Sequence, residues 1–437
     1  MQIMTVHSIT ELYKLFLKHP KVCTDTRKIE SDSFFFALKG ENFDANQFAS
    51  QALEKGCAYA VIDEEEYKKG ERYILVDNVL QSLQQLAAYH RKHLKIPVIG
   101  ITGTNGKTTT KELIHAVLSK KYKTYSTEGN FNNHIGVPLT LLSIPYNAEF
   151  AIIEMGASHP GEIRDLCKIT FPEYGIITNI GKAHLEGFGS IEGVVLTKKE
   201  LFDVVRLSGG KVFVCRDNNL LMDLSEGIER TTYGVFPDSD CRGDISECNP
   251  LLKLKWYCHS EKKEISISSN LVGYYNFENV LAAICIGEYF KVDPEDIKKA
   301  IENYFPSNNR SQVINTKKNL IIMDAYNANP ISMDAAIRNF IQDTFRRKFA
   351  IIGDMLELGT ESVKEHEKII DLLGNSDFEQ VILVGKIFLS LKGSFDYPVF
   401  TDVSEASEWI KENRPEGCSI LIKGSRGIKL EKLLELL

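Results

Sequence analysis

Short apolar runs alternate with longer amphipathic stretches along almost the whole 437-residue chain. Runs of four to six apolar residues bounded by polar or Gly/Pro positions read as strands, and stretches with 3.6-residue periodicity read as helices. Over residues 1–85 the predicted strands are Ser33–Leu38, Tyr59–Ile62 and Tyr73–Val76, with a helix over Asn46–Gly56. The helix Val79–Leu94 then leads to Ile96-Pro97, a hinge, because proline biases the residue before it away from helix. Across 86–304 the predicted strands are Val98–Ile101, Lys123–Ser126, Phe150–Glu154, Tyr174–Thr178 and Lys211–Cys215. Helices Thr109–Ser119 and Asn276–Phe290 accompany them, and Leu251–Ser268 reads as an antiparallel hairpin. From 305 to 437 strands Leu320–Asp324, Phe349–Ile352, Val381–Val384 and Ser419–Ile422 alternate with helices Ser332–Phe345 and Lys429–Leu437. Uninterrupted apolar strands alternating with helices imply parallel sheets buried on both faces. The fold class is therefore α/β with three domains, 1–85, 86–304 and 305–437, and ligand sites favour the clefts between such units.

Composition narrows the function classes. The chain is 43% hydrophobic and 25% charged with a net charge of −7, which argues against a nucleic-acid partner, since such affinity rests on neutralised phosphates. The longest apolar stretch, 280–287, is too short to span a membrane. The segment Leu12–Leu17 is broken by Lys14, so no signal peptide is read and a cytoplasmic location is expected. Nine scattered cysteines without a CxxC pair indicate neither a zinc knuckle nor a disulfide framework.

The strongest chemical signal is Gly100-Ile101-Thr102-Gly103-Thr104-Asn105-Gly106-Lys107-Thr108-Thr109, placed between a strand and a helix. Glycines let backbone N–H groups turn toward a phosphate, and the helix N-terminus adds a positive dipole end. Lys107 brings a mobile charge and Thr108 a hydroxyl ligand for Mg²⁺. The standard pattern would need glycine at 101, where the chain has Ile101; the bland alternative is a Gly-rich turn with an exposed lysine. Coincidence of strand, turn, Gly-Lys-Thr and helix favours the phosphate loop.

Two polar residues stand where an open parallel sheet places ligands, beyond the carboxyl ends of its strands. Glu154 ends the strand Phe150–Glu154, and His184 follows the strand at 174–178 by a few residues. If those strands flank the one feeding the loop, Glu154, His184 and Thr108 converge on a terminal phosphate. Glu154 with Thr108 suits Mg²⁺, whereas His184 would suit a second ion. A helix-capping carboxylate and a backbone-bonded histidine are the structural alternatives. Lys198 taken alone reads as part of a solvated helix face.

With these residues in hand, the sequence resembles the Mur ligase family, in its D-alanyl-D-alanine-adding branch, from about Thr24 to the C-terminus. The matching segments begin with Thr24-Asp25-Thr26-Arg27, the loop at 103–112 and Gly129–Pro138. They continue through Glu154–Ala157, His184–Glu186, Asn276–Asn279, Asn309-Arg310, Asp324–Pro330 and Gly353–Gly359. The resemblance implies a UDP-sugar-binding first domain, a central P-loop ATPase-like domain and a Rossmann-like C-terminal lid. It also accounts for the loop, since the family uses Gly-Thr-Asn-Gly-Lys-Thr. It implies ATP and Mg²⁺ as cofactors, with ATP held by Thr102, Gly103, Thr104, Asn105, Gly106, Lys107, Thr108 and Thr109. Lys198 corresponds to a lysine carried as a carbamate, which would join Glu154 and His184 at the second ion. By the same correspondence Asn279 lies near the adenine, Arg310 against the phosphates, Asp324 near the ribose, and Thr26 and Arg27 by the uridine diphosphate.

The activity implied is ATP-dependent amide ligation of D-Ala-D-Ala to UDP-N-acetylmuramoyl-tripeptide through an acyl-phosphate, by a monomer. Lys107, Glu154, His184, Lys198 and Arg310 are the expected catalytic set. Two alternatives compete with this reading: another Mur ligase adding a single amino acid, and a non-catalytic nucleotide-binding protein of the same fold. The diaminopimelate-adding type usually carries Asp-Asn-Pro-Arg in its third domain, and this chain has none. Folylpolyglutamate synthases typically read Gly-Lys-Gly-Ser where this chain has Gly106-Lys107-Thr108-Thr109.

Overall fold

A computed structural model describes residues 8–342 and 347–437. Among these residues the strands build three main sheets, each dominated by parallel pairing as the apolar runs predict. The first sheet orders Val22–Cys23, Phe34–Phe36, Tyr59–Ile62 and Tyr73–Leu75, all parallel. Because side chains alternate across a strand, Phe34, Phe36 and Val61 enter the core shared with the central sheet, while Phe35, Ala60 and Ile62 enter a smaller one on the other face. The predicted helix Asn46–Gly56 starts later. Residues Ala45–Phe48 form a 3₁₀ turn capped by the Asp44 carboxylate, and the α-helix covers only Ala49–Glu54.

The helix Val79–His93 runs unbroken across the expected division at 85/86. Its buried Leu83, Leu86 and Ala87 pack into the same core as Phe34 and Val98. At its C-terminal end the buried Arg91 donates to the carbonyls of Thr170 (2.8 Å) and Leu94 (2.8 Å) and pairs with Glu173 at 2.7 Å. Those bonds tie the first sheet's helix to the base of the central sheet.

The central sheet has nine strands. Its parallel part orders Glu229–Gly234, Lys211–Cys215, Tyr174–Ile177, Val98–Thr102, Phe150–Glu154 and Thr124–Ser126. The expected hairpin is present as Leu251–Cys258 with Lys263–Val272, and Cys241–Cys248 extends it. Register meets the condition set by the sequence: Glu154 lies beside Ile101, and Ile177 beside Thr102. The strand feeding the phosphate loop is thus flanked by the two strands that carry Glu154 and lead to His184.

In the third sheet Leu320–Asp324, Ser419–Lys423, Lys348–Gly353, Gln380–Val384 and Val399–Phe400 are parallel, and Gln312–Asn315 pairs antiparallel at one edge. Separate cores cover its two faces, with Ile322, Ile352 and Leu383 on one and Ile321, Ile351 and Ile382 on the other. The helix predicted over 332–345 is observed as Pro330–Gln342, and its expected last turn lies outside the described residues. The helix predicted over 429–437 is instead a 3₁₀ helix, Leu430–Leu436. Leu430 and Leu433, three apart, are its buried residues, a spacing that matches three residues per turn.

Candidate active site

The loop after Val98–Thr102 is held by residues that follow the neighbouring strand. The Thr104 N–H donates to the Asn179 carbonyl (2.9 Å) and the Asn105 N–H to Asn179 Oδ1 (2.9 Å). Thr178 Oγ1 donates back to the Asn105 carbonyl at 2.6 Å. Gly103 has φ +144°, and a Cβ there would lie 2.1 Å from Thr178 Oγ1, so only glycine lets the loop pass. Gly106, at φ +79°, opens the helix Lys107–Leu118, and a Cβ there would meet Asn279 Oδ1 at 2.5 Å. Lys107 Nζ folds back onto the carbonyls of Gly103 (2.8 Å) and Thr104 (2.9 Å).

Glu154 is 1% exposed. Thr108 Oγ1 donates to its Oε2 at 2.9 Å and Asn132 Nδ2 to its Oε1 at 2.8 Å. Among the described residues no cationic side chain forms an ion pair with this buried carboxylate. A hydroxyl and a carboxylate oxygen in contact, with the charge otherwise unpaired, suit a hard divalent cation that keeps several waters. Among the described residues no three His, Cys, Asp or Glu side chains cluster to hold a metal by themselves.

The loop, Glu154, His184 and Lys198 line one cavity of about 1020 Å³, to which the third sheet's unit also contributes Asp324, Tyr326, Glu357 and Lys423. His184 has a left-handed backbone (φ +49°), and its Nδ1 is bonded to the Glu357 carboxylate from the third sheet's side. Lys198 lies in the helix Ile191–Leu207 and is 3% exposed, with its amine 5.3 Å from the Phe188 ring centre. The solvated-face reading of Lys198 is thereby overturned: the helix turns this residue inward. Burial, followed by the charge of Lys107, lowers its pKa to about 7.

Arg310 reaches the cavity from a chain segment in which Asn308, Asn309 and Ser311 all have positive φ. Its guanidinium stacks on Tyr326 at 3.6 Å from the ring centre, and its Nε is buried without a hydrogen-bond partner among the described residues. Asp324 ends the strand Leu320–Asp324, is bonded to Lys423 Nζ, and accepts the Ser311 N–H at 3.2 Å. Asn279 supports the loop from beneath, accepting from Thr110 Oγ1 (3.0 Å) and donating to Asn276 Oδ1 (2.9 Å). Thr109 also lines the cavity, whereas Thr102 is fully buried below it. Thr26 and Arg27 are not brought to this cavity; Arg27 is clamped to Asp25 at 2.8 Å, and the Thr26 carbonyl accepts from Lys55.

Several residues build the site in ways the sequence did not assign, including Asn329, which it offered only as a candidate for the dipeptide by its place in the segment Asp324–Pro330. Asn179 braces the loop, and Asn329 exchanges amide hydrogen bonds with Asn105 across the two sheets at 2.7 and 3.3 Å. Lys182 pairs with Glu365 (2.8 Å), a second link between the same two sheets. Asn179 stands directly after a strand end, a signal that could have found it; Lys182 and Glu365 share no local pattern.

The sequence profile of the Mur ligase middle domain matches residues 101–287, and that of the Mur ligase glutamate ligase domain matches 309–426. The UDP-N-acetylmuramoyl-tripeptide–D-alanyl-D-alanine ligase of Bacillus subtilis is 37% identical over 99% of this chain and 97% of its own length. This chain belongs to the Mur ligase family. Among solved structures, MurF from Acinetobacter baumannii superposes with a TM-score of 0.85 at 31% identity, covering 95% of this chain and 92% of that one. MurF ligase from Thermotoga maritima in complex with ADP superposes at 0.84 with 26% identity, covering 96% and 97%.

For this Mur ligase the loop lysine gives a pH signature. Burial is the main cause that lowers the Lys107 pKa to about 8, with Arg310 adding to it and Glu154 opposing it. The amine is charged below that pH and progressively neutral above it. A bound polyphosphate favours the charged form and restores the proton. Nucleotide binding should therefore take up roughly one proton at pH 9 and far less at pH 7, and affinity should fall as pH rises past 8. Calorimetry in buffers of different ionisation enthalpy measures this directly. Equal uptake at both pH values would remove Lys107 from the phosphates.

Proposed function

We propose that this chain is an ATP-dependent ligase that joins D-Ala-D-Ala to the terminal carboxylate of UDP-N-acetylmuramoyl-tripeptide and releases ADP and phosphate. The observation that carries the reading is the single cavity in which a phosphate loop, a buried carboxylate, a buried lysine and the third sheet meet. The unit built on the first sheet, residues 1–85, is assigned to the UDP-sugar, with Thr26 and Arg27 beside the diphosphate. Residues 86–304 bind ATP, and 305–437 act as the lid.

In the first half-reaction a tripeptide carboxylate oxygen forms a bond to the γ-phosphorus as the bond to ADP breaks, giving an acyl-phosphate. Two anions must approach, so loop N–H groups, Lys107 and Arg310 screen the repulsion and stabilise the transferring group. Thr108 and Glu154 are the residues that would hold a magnesium ion, which would supply further charge neutralisation. In the second half-reaction the dipeptide amine attacks the acyl carbon, loses a proton, and phosphate departs. Water would hydrolyse the acyl-phosphate. The Asn105–Asn329 and Lys182–Glu365 links draw the third sheet over the loop and help exclude it.

Lys198 is assigned a carbamate. Its buried amine, with a pKa near 7, is substantially neutral at physiological pH, the form whose lone pair bonds to CO₂ with release of a proton. The resulting anion, with His184, would hold a second divalent ion, whereas an ammonium there would repel it.

The test is ADP release measured with each substrate omitted in turn. Turnover is expected only when UDP-N-acetylmuramoyl-tripeptide and D-Ala-D-Ala are both present. Tight ATP binding without turnover under any combination would favour a binding protein, and turnover with a single amino acid in place of the dipeptide would favour another ligase specificity.

A further inference from the structure

The proposed reaction brings three anionic groups into one cavity: the nucleotide phosphates, the tripeptide carboxylate that becomes the acyl-phosphate, and the free carboxylate at the far end of the dipeptide. Most cations lining the cavity already have a partner or a task. Lys107 is folded on the loop carbonyls, Lys423 is bonded to Asp324, Lys168 pairs with Asp165, Lys198 is enclosed, and Arg310 lies flat on Tyr326. Arg426 differs. It is exposed, it lines the cavity, and among the described residues no carboxylate pairs with it. Among the described residues its only polar side-chain contact is a long one to Tyr326 Oη at 3.4 Å, with its guanidinium 5.2 Å from the centre of that ring.

Resting on the ligase reading above, we infer that Arg426 binds the terminal carboxylate of the incoming dipeptide, and so selects a dipeptide over a single amino acid. Three features favour this residue. It follows the strand Ser419–Lys423 of the third sheet and lines the same cavity as the phosphate loop. A nucleophile held there points its amine toward the loop and its carboxylate away from it. A two-residue substrate spans roughly 7 Å, so a carboxylate anchor set that far from the reacting carbon separates it from a substrate half as long. The backbone beneath Arg426 is also fixed: the Ser425 N–H donates to the Asp354 carbonyl (3.1 Å), and Ser425 Oγ accepts the Leu356 N–H (3.0 Å). A guanidinium on an anchored backbone offers a carboxylate two parallel N–H donors with little ordering left to do.

The experiment compares D-Ala-D-Ala with its C-terminal carboxamide, D-alanyl-D-alaninamide, in the full-length wild type and in Arg426→Ala, Arg426→Met and Arg426→Lys. Wild type should use the carboxamide with a KM roughly 10- to 100-fold higher, the size of a hydrogen-bonded charge contact. In Arg426→Ala the KM for the dipeptide should rise by a similar factor while the KM for ATP stays put. The ratio between the two dipeptides should then collapse toward one, with Arg426→Lys intermediate. A purely structural role would raise both KM values and leave that ratio as in wild type, which overturns the assignment. If Arg426→Ala fails to fold, Arg426→Met and Arg426→Lys carry the same comparison. A wild type that does not consume D-Ala-D-Ala at all overturns the ligase reading itself and this assignment with it. An active wild type whose discrimination survives in the variants overturns the assignment alone.

Discussion

Replacing Lys107 by alanine is expected to lower turnover by at least about 10³-fold, at the upper end of what removing one charged or hydrogen-bonding stabiliser of a transition state does. Lys107 is the cation of the loop itself, and its amine rests on the carbonyls of Gly103 and Thr104, where the chain turns toward the cavity. The fold should survive. Lys107 opens the helix Lys107–Leu118, alanine suits a helix, and the bonds bracing the loop come from Thr178 and Asn179 rather than from the lysine. ADP release under saturating substrates measures the loss, and an unchanged thermal midpoint separates it from unfolding. Activity within about tenfold of wild type would take the loop lysine out of the mechanism, since even one oxyanion-type donor is normally worth more.

Lys198→Ala should be impaired by about 10²–10³-fold and partly rescued by formate or acetate. The residue is buried among Phe188, Lys107 and the cavity wall, so truncation leaves room that a small carboxylate can enter. A supplied carboxylate restores the anionic oxygens that a carbamate would provide, whereas Lys198→Met fills the space and should show no rescue. An independent reading comes from the wild type equilibrated with ¹³C-bicarbonate, which should give a carbamate carbon resonance that is absent from Lys198→Ala. Wild-type activity in Lys198→Ala would show that no anion is needed at this position. Impairment without rescue or resonance would leave the buried lysine acting as an amine.

Much of the phosphate side of the cavity was legible because it is local. Strand, Gly-rich turn, lysine, threonine and helix follow one another within 98–118, and apolar runs marked the neighbouring strands correctly. The register then confirmed the condition on which Glu154 and His184 depended, since both flanking strands lie beside the loop strand. Lys198 shows the limit of the same approach. Its flanking Lys199 and Glu200 resemble a solvated helix face, and only the packing of helix Ile191–Leu207 shows that Lys198 turns inward. At the C-terminus the sequence pattern suggested an α-helix, but burial of leucines three apart selected a 3₁₀ helix.

The sequence alone determined the α/β class, the phosphate loop, the carboxylate at the next strand end and the family, because each rests on short-range periodicity or on contiguous motifs. Tertiary structure decided which distant side chains complete the cavity. Asn329, Glu357, Lys423 and Arg426 lie more than two hundred residues beyond the loop and meet it only because the third sheet packs across the central one. Hydrophobic patterning specifies which face of each element is buried. It does not specify how two finished sheets dock, and that docking brings these side chains to the loop.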